Sequence, residues 1–546
     1  MAETTPINEA DQRFNSLKSE FNDNWESSCS DLRDYIEPTR GSFDGDNGSR
    51  GGMIDHQKVL DGYASIANDI LASGLLSGMT SPMRPWFKLA VDDDLFNDEP
   101  IIRIWLDDTE KRIRTALNQS NVYQTLYGCY KEIGSFGTGC FMVLEDFEDI
   151  IRCHMFTSGE YYLSVDNKGR VNGLAREFYM TVDQIVKEFE YENCSGTVQS
   201  NYDNNQRGIY YNIRHLVEDN DYKIAGLPED NDMKYRSLYW ESGNKSGDFL
   251  AKRGFKRFNI LAPRWETATM SQPYGKGPGW RALGDIKQLQ KTTDDKLQLQ
   301  EKLHRPPTVS DADIEGHINL IPGGNTKASF NVPNPGVRAA YQVPDALNSF
   351  IEMNTHLKQN IDKFFFVNLF QMLLNIDNTN MTATEVAERQ QEKIMMMGPI
   401  LHRLQEELLD PLIDIVFSIM LDNGLLLPVP QQLSGMNLRV KYISILAQAQ
   451  EAAGVNQIAR VMEKALAIAQ ARPDILDNWN FDQIAREINE MEGAPAKIIL
   501  DEESVLEKRE ADQQAAQMAQ MAQVGKDGGS AIKNLAEANK IAQEAQ

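Results

Sequence analysis

Two glycine-rich runs are the parts of this sequence that most resemble a phosphate-binding loop. Gly134-Ser-Phe-Gly-Thr-Gly139 follows a predicted helix and precedes a predicted strand, whereas a phosphate cradle needs the anion at the N-terminus of the following helix. This run therefore predicts a tight helix-to-strand turn with glycines at positive φ. Tyr274-Gly-Lys-Gly-Pro-Gly279 does precede a helix, but glycine follows Lys276 where a Walker A loop has Ser or Thr. No motor ATPase loop is predicted.

Other patterns that carry chemistry are weak or missing in the sequence. The five cysteines are odd in number and lack C-x-x-C spacing, which indicates buried free thiols in a reducing compartment. The seven histidines form no H-E-x-x-H or H-x-H pair, so neither a metal nor another cofactor is expected. Neighbouring acids such as Asp107 and Asp108 diverge by about 100° around a helix and cannot share one substrate. We therefore expect a protein that is not an enzyme.

Charged residues of both signs cover a long predicted helix at residues 280–304. They form either a solvated face of salt bridges, each worth little, or the mixed-charge wall of a channel when copies repeat around a ring. The sequence leaves both interpretations open. The candidate channel-wall residues are Lys287, Lys291, Asp294, Asp295 and Lys296.

Length and composition describe a large acidic protein. The 546 residues suggest about three or four domains, and 41% hydrophobic with 25% charged residues excludes wholesale disorder. Acidic residues outnumber basic ones by 80 to 55, so the net charge is -25. This disfavours a nucleic-acid binder that works by neutralising phosphates. No apolar run reaches the ~20 residues that span a bilayer, and no secretory signal begins the sequence, so we expect a cytosolic protein.

The first half of the sequence predicts an α+β region. Helices are predicted over residues 9–37, 55–80, 101–134 and 181–190. Alternating segments between residues 140 and 260 predict short strands, and Asp166-Asn-Lys-Gly169 predicts a hairpin turn. The polar stretch 191–209 predicts a surface loop.

The second half predicts a helical hairpin with a small insertion at its tip. One helix covers residues 280–304, and a second runs from Asp345 to about Phe370. About forty residues rich in Pro, Gly and Asn separate them. The second helix has apolar residues in steps of three and four on one face. These candidate packing residues are Phe350, Met353, Leu357, Ile361 and Phe364.

Residues after the hairpin predict a polar loop and then more helix. The loop covers 371–383, and its candidate functional residues are Asn375, Asp377, Asn378 and Asn380. A capping box at Thr382 and Glu385 begins the longest helix, which Pro399 and Pro411 should kink or break. Residues 440–493 are predicted to be helical. The Ala/Gln-rich tail from about 505 cannot build its own core.

The order of these elements resembles the portal, or head-to-tail connector, proteins of short-tailed bacteriophages. The resemblance covers roughly residues 10–500. It rests on the Gly134–Gly139 turn, the Tyr274–Gly279 run leading into Leu283-Gly-Asp-Ile-Lys287, the Arg305-Pro-Pro307 break, the Asn-rich loop before Met381-Thr-Ala-Thr-Glu-Val386, and Glu406-Glu-Leu-Leu-Asp-Pro411.

The resemblance implies an α+β, mainly α, portal fold. It implies a wing at 1–279, stem helices at 280–304 and 346–370, a clip at 305–345, a channel loop at 371–383, a long wing helix at 384–424, a helical crown at 425–504 and a tail at 505–546. It also implies that the helix at 280–304 and the loop at 371–383 border a DNA channel.

The family further implies a ring of about twelve copies at one capsid vertex, which carries the genome during packaging and ejection. The implied partners are further copies of the chain, the major capsid protein and scaffold, the terminase motor, tail adaptor and nozzle proteins, and double-stranded DNA, with no membrane. The implied location is the virion, and the host cytoplasm during assembly. An acidic ring with an Asn-rich loop fits a channel through which DNA must slide, because strong phosphate contacts would hold it.

Two alternatives remain open at this point. The chain could be another assembly protein of the particle, such as a scaffold or a tail adaptor. It could also be an enzyme that processes DNA.

Overall fold

The computed structural model of this chain describes most of residues 6–443 and isolated positions beyond them. The described residues are 6–43, 58–91, 99–221, 233–243, 248–305, 308–310, 337–339, 347–374, 397–430, 433, 438–443, 462, 465, 468, 472, 479–484, 505–506, 508–512 and 514. The chain divides into two units, Met1–Gln450 and Glu451–Gln546. In the second unit, Arg509 forms an ion pair with Asp482 at 2.6 Å.

Helices make up the first part of the larger unit. They are α1 (Pro6–Phe21), α2 (Ser27–Tyr35), α3 (Tyr63–Met79), α4 (Pro100–Gln119) and α5 (Val122–Phe136). A π-helical turn, Asn22–Glu26, joins α1 to α2, so the helix predicted over 9–37 is confirmed in outline. Phe14 of α1 is fully buried, with Tyr162 and Trp240 edge-on to its ring.

The helix predicted over residues 101–134 is wrong as a single element, because it is broken between α4 and α5. Ser120 has an extended backbone, with φ -86° and ψ 178°. The side chain of Asn121 then forms the two hydrogen bonds that a neighbouring strand would form with Cys153. It donates to the carbonyl of Cys153 and accepts from the N–H of Cys153, both at 2.8 Å. A straight helix would leave these two backbone groups without that partner.

The strands form small antiparallel sheets. They are β1 (Phe87–Val91), β2 (Cys140–Asp146), β3 (Ile150–Phe156), β4 (Tyr161–Val165), β5 (Val171–Thr181), β6 (Tyr210–Asp219), β7 (Tyr235–Glu241), β8 (Ala251–Phe255), β9 (Ile260–Leu261), β10 (Thr308–Ser310), β11 (Val337–Ala339) and β12 (Leu438–Tyr442). The largest sheet has the order β4-β5-β6-β7-β8, and a second has the order β3-β2-β9. The pairs β10-β11 and β1-β12 complete the described sheets. The predicted hairpin turn is confirmed between β4 and β5, where Gly169 has φ +78°.

Two short α-helices and a 3-10 turn, Tyr191–Asn193, lie between β5 and β6. The α-helices are α6 (Val182–Phe189), which the sequence predicts, and α7 (Gly196–Asp203). The prediction of a loop over 191–209 is therefore wrong at the residues that form α7. The hydroxyl of Ser195 caps this helix by accepting the N–H of Val198, and the buried carboxylate of Glu241 holds Ser195 in turn. A partner 46 residues away gives no local signal.

The second half of the larger unit is mainly helical. Its helices are α8 (Pro278–His304), α9 (Leu347–Phe364), α10 (Val367–Leu374) and α11 (Asp410–Asp422). A helix described from residue 397 reaches α11 through a π-helical turn, Gln405–Leu409. This turn lies just before Pro411, the predicted kink, because proline cannot donate to the preceding turn and crowds its carbonyl. The predicted start of this helix at 384 lies outside the described residues.

The helix predicted over residues 440–493 is wrong at its first residues, which belong to β12. Val440 pairs with Leu89 of β1, and the ring of Tyr442 stacks on Trp86 at 6.4 Å. The Tyr442 hydroxyl also bonds the carboxylate of Asp410. Pairing with a strand about 350 residues earlier overrides the local helical pattern. The described chain is mixed and mainly helical, as the sequence predicts.

Candidate functional site

The long hairpin of α8 and α9 is the part of the fold where the sequence places most candidate functional residues. The two helices pack against each other. α8 has 27 residues and is therefore about 40 Å long. Pro278 occupies its first turn, where the missing N–H costs nothing.

Three polar side chains join the two helices inside the hairpin. Asn354 accepts a hydrogen bond from the Thr292 hydroxyl at 2.6 Å, and its Nδ2 donates to Oγ1 of Thr293 at 3.4 Å. All three residues are buried. A slip of one helix along the other would leave the buried Asn354 amide unsatisfied in an apolar environment, so these contacts specify the register of the hairpin. Sequence reasoning missed them, although Asn354 lies three residues before Leu357 on the apolar stripe.

The candidate packing residues of α9 are placed unequally. Leu357 and Ile361 are buried, whereas Phe350 and Phe364 are half-buried. Met353 is 41% exposed, and the neighbouring Asn354 is buried in its place. Their joint role in packing a stem within a ring stays a prediction.

Four of the five candidate channel-wall charges form ion pairs within the chain. Lys287 pairs with Asp31 of α2 at 2.7 Å, and Lys291 pairs with Asp294 and Asp295 one turn further along α8. A hydrogen bond from Gln298 and the nearby Lys291 lower the pKa of Asp294, whereas hydrogen bonds to Asp295 and Asp294 raise the pKa of Lys291. Lys296 is half-buried. Lys287 thus helps to fasten the hairpin to the body, and the lining of a channel by these residues stays a prediction.

The two glycine-rich runs of the sequence meet at the base of the hairpin. Gly137 ends α5 with φ +89°, and a Cβ there would lie 2.4 Å from the carbonyl oxygen of Gly275 and 2.5 Å from the nitrogen of Gly277. A Cβ on Gly277 would lie 2.4 Å from the carbonyl oxygen of Ile133, and one on Gly279 would lie 2.5 Å from that of Ser135. We call this close approach of two backbones the glycine crossing. It holds the start of α8 directly against the end of α5.

A second set of contacts holds α8 and α9 against the segment before α3. The Gln290 side chain accepts from the N–H groups of Leu60 and Asp61 at 2.7 and 2.9 Å, and it donates to the carbonyl of Asp61 at 2.8 Å. Lys358 forms an ion pair with Asp61 at 2.8 Å. The hydroxyl of Tyr63 donates to Asp362 at 2.8 Å. The half of the hairpin nearer its base is therefore fixed to the body by both of its helices.

The predicted second hairpin helix, residues 346–370, is wrong as one continuous element. It breaks after α9, where Phe366 has φ +55°, and the chain continues as α10 to Leu374. Residues 371–374 are thus helical and do not belong to the predicted loop. The ring of Phe370 occupies the space beside Gly74 of α3, where a Cβ would lie 2.1 Å from Phe370 Cδ1. The helix breaks at Phe366 because the turn there lets Phe370 pack against α3, which a straight continuation of α9 would prevent.

The four candidate loop residues, Asn375, Asp377, Asn378 and Asn380, lie outside the described residues. Their place beside a channel stays a prediction. The described chain leads into this segment from α10, whose side chains Val367, Leu369 and Phe370 are buried.

A buried carboxylate lies beneath the glycine crossing. Glu132 of α5 is fully buried and accepts hydrogen bonds from Arg40 at 3.2 Å, the Thr157 hydroxyl at 2.8 Å and the Ser158 N–H at 3.2 Å. Burial raises its pKa to about 7, against the opposing effects of Arg40 and these hydrogen bonds. The carboxylate is enclosed by the fold and contributes to packing.

The described residues contain no group of three His, Cys, Asp or Glu side chains placed to hold a metal ion. All five cysteines, each in a described segment, are buried free thiols as predicted. Among the described helices, none is both long and apolar enough to cross a membrane.

Comparison with known proteins gives nearly full-length matches. The profile of the family described as bacteriophage head to tail connecting protein matches residues 7–500. A probable portal protein of Bordetella phage BPP-1 is 35% identical over 531 residues, which cover 96% of this chain and 95% of the relative. The portal protein of Salmonella phage epsilon15 is 37% identical over 514 residues, which cover 94% of this chain and 92% of the relative.

Proposed function

This chain belongs to the head-to-tail connecting, or portal, proteins of short-tailed bacteriophages, a structural and non-enzymatic family, and we propose that it forms the ring-shaped portal at one capsid vertex. The ring is the channel through which the genome is packaged and later ejected. The observation that carries this proposal is the match to two portal proteins over more than nine-tenths of the chain. Matches of that extent to portal proteins also favour this role over a scaffold or a tail adaptor.

The hairpin of α8 and α9 supports a channel function. It is long, and its base is fixed to the body by the glycine crossing and by the Gln290 contacts. In our proposal, copies of this hairpin stand side by side as the stem of the ring. The segment 305–345 forms the clip at its tip, and residues 375–383 form a loop that borders the DNA.

The remaining parts of the chain then have positions around the stem. The α+β region before residue 279 forms the wing, together with the helix that ends in α11. The helical residues of the second unit form the crown, and the Ala/Gln-rich tail follows it. Because β12 pairs with β1, the crown begins after residue 443 rather than at 425 in this proposal.

We propose the partners that such a ring requires. They are further copies of the chain, the major capsid protein and scaffold around the ring, the terminase motor during packaging, and tail adaptor and nozzle proteins afterwards. Double-stranded DNA passes through by weak contact, since a chain of net charge -25 repels the phosphates. The protein works in the virion and is assembled in the host cytoplasm.

Electron microscopy of the purified full-length protein tests this proposal. We expect closed rings with a central channel, in a copy number near twelve. A protein that stays monomeric at every concentration and salt condition, or that forms only tubes, would contradict it. Turnover of ATP or cleavage of DNA by the pure protein would also contradict it.

A further inference from the structure

The outer side of α4 carries an exposed aliphatic surface that the channel function does not explain. Five side chains form it, and we call them the α4 surface: Ile101, Ile104, Leu425, Leu427 and Val429. Ile101 and Ile104 are 62% and 66% exposed, and the other three are about 40% exposed. Contiguous exposed aliphatic side chains on a folded protein mark a contact site more often than isolated ones do.

The two parts of this surface are adjacent in space. Arg112 of α4 donates to the carbonyl of Leu425 at 3.0 Å, and Trp105 donates to the carbonyl of Leu427 at 3.1 Å. The segment after α11 therefore runs along α4 in the opposite direction. Positions 101, 104, 108 and 112 lie on one stripe of a helix, which places Ile101 and Ile104 beside the continuation of this segment.

The α4 surface is held in a fixed shape. The indole of Trp105 is buried and lies edge-on to Phe417 of α11. The N–H of Leu425 donates to the carbonyl of Met420 at 2.9 Å. Since these backbone groups are satisfied within the chain, the backbone of this segment has little conformational freedom to lose when another surface covers it.

Charge decides which kind of partner fits the α4 surface. Residues 425–430, Leu-Leu-Leu-Pro-Val-Pro, contain no charge, and Asp108 and Arg112 on the same stripe neutralise each other at 2.6 Å. Arg103 and Asp107, which lie one helical turn apart beside Ile104, have opposite charges. Two copies of net charge -25 repel each other, so they approach most easily through a neutral, apolar surface. A basic partner would instead be attracted to the acidic surface of the chain.

We infer that the α4 surface is a contact between neighbouring copies in the ring, where it packs against a different face of the adjacent copy. This inference rests on the proposed ring. A ring needs such head-to-tail contacts, because a patch that pairs with itself closes a dimer instead. α5 packs against both α4 and α8, so this contact lies one helix away from the hairpin and adds to any contact between stems.

The double substitution Ile104→Asp and Leu427→Asp tests the inference. Both side chains are exposed, so the folded copy should persist with an unchanged circular dichroism spectrum. The concentration at which rings form, measured by sedimentation velocity, should rise at least tenfold. Met270→Asp, at a 75% exposed position outside the α4 surface, is the matched control and should leave the concentration at which rings form unchanged. Rings of the double variant at the wild-type concentration would overturn the inference and leave the ring itself standing.

Thiol labelling provides a second measurement should the double variant fail to fold. Because the five native cysteines are buried, Leu427→Cys and Met270→Cys each introduce a single reactive thiol. Maleimide labelling of Cys at position 427 should be at least tenfold slower in rings than in dissociated copies, with no such change at position 270. Equal rates at position 427 would overturn the inference. A wild-type protein that forms no rings at all would instead overturn the proposed function.

Discussion

Replacing Gly137 by alanine tests the glycine crossing most directly. The methyl group meets two obstacles at once: a left-handed backbone at φ +89°, and three backbone atoms of Gly275 and Gly277 within 2.4–2.7 Å. A non-glycine residue in the left-handed region costs about 1 kcal/mol or more. Forcing a methyl group into a packed site costs about 1–3 kcal/mol. We expect Gly137→Ala to reduce the free energy of unfolding by about 2–5 kcal/mol, a large part of the 5–15 kcal/mol typical of a folded protein.

Three other glycines separate these two contributions. Gly243 has φ +90° but open space around it, so Gly243→Ala should cost only about 1 kcal/mol from the backbone. Gly277 has an ordinary φ of -96° but a carbonyl oxygen 2.4 Å away, so Gly277→Ala should cost about 1–3 kcal/mol from the clash. Gly284 lies in α8 with open space around it, so Gly284→Ala should raise the free energy of unfolding by about 0.5–1 kcal/mol.

Urea denaturation of the four variants provides the measurement. Trp280, whose indole donates to the carbonyl of Phe136 at 2.7 Å, lies at the crossing and is one of the seven tryptophans whose fluorescence follows unfolding. The expected order of stability is Gly284→Ala above wild type, then Gly243→Ala, with Gly137→Ala lowest. If Gly137→Ala costs no more than Gly243→Ala, the backbones of α5 and the residues before α8 do not approach as closely as described, and the fixed base of the hairpin is refuted.

Three further changes test other parts of the structure. Asn354→Ala should reduce the free energy of unfolding by about 0.5–1.5 kcal/mol, because it removes the hydrogen bond between the two helices while the Thr292 hydroxyl can still donate to the carbonyl of Gln288 at 3.0 Å; an unchanged urea midpoint would contradict the polar layer. Glu132→Gln should change the pH dependence of stability. The native pKa of about 7 lies above the ordinary 4.5, so the protonated form is favoured in the fold, and stability is lost as pH rises from about 4.5 to about 7. At 1.36 kcal/mol per pKa unit, the wild type should lose about 3 kcal/mol over this range, and the variant should not. The same pH dependence of stability in both proteins would contradict this prediction. Deletion of residues 375–383 should leave rings intact in electron micrographs but reduce the amount of DNA packaged or retained per particle; loss of rings would show that the segment is structural.

Much of the secondary structure follows from local sequence patterns. The Asp166–Gly169 turn, α6 with its capping box, and α8 all lie where the sequence predicts them. Turn residues and caps act through contacts within four positions, so the local sequence contains the whole signal. The family resemblance also rested on short runs in a fixed order, and the nearly full-length comparisons confirm it.

The wrong predictions share one cause, which is a tertiary partner far along the chain. Asn121 breaks a helix because it bonds Cys153, and β12 replaces helix because it pairs with β1. Glu241 stabilises α7 through Ser195, and Phe370 turns the chain after α9 because it packs beside Gly74. Hydrophobic periodicity contains no record of these partners, since it describes only which face of an element is apolar.

The sequence by itself determined the helical hairpin, the acidic charge and the absence of familiar catalytic motifs, because periodicity and composition are properties of neighbouring residues. Only the tertiary structure decided how the hairpin is fastened. The crossing of Gly137 with Gly277 and the bond between Thr292 and Asn354 join residues at least 60 positions apart. The α4 surface likewise arises only when a segment after α11 folds back along α4. Such contacts depend on where whole elements pack, and packing is decided by all of them together.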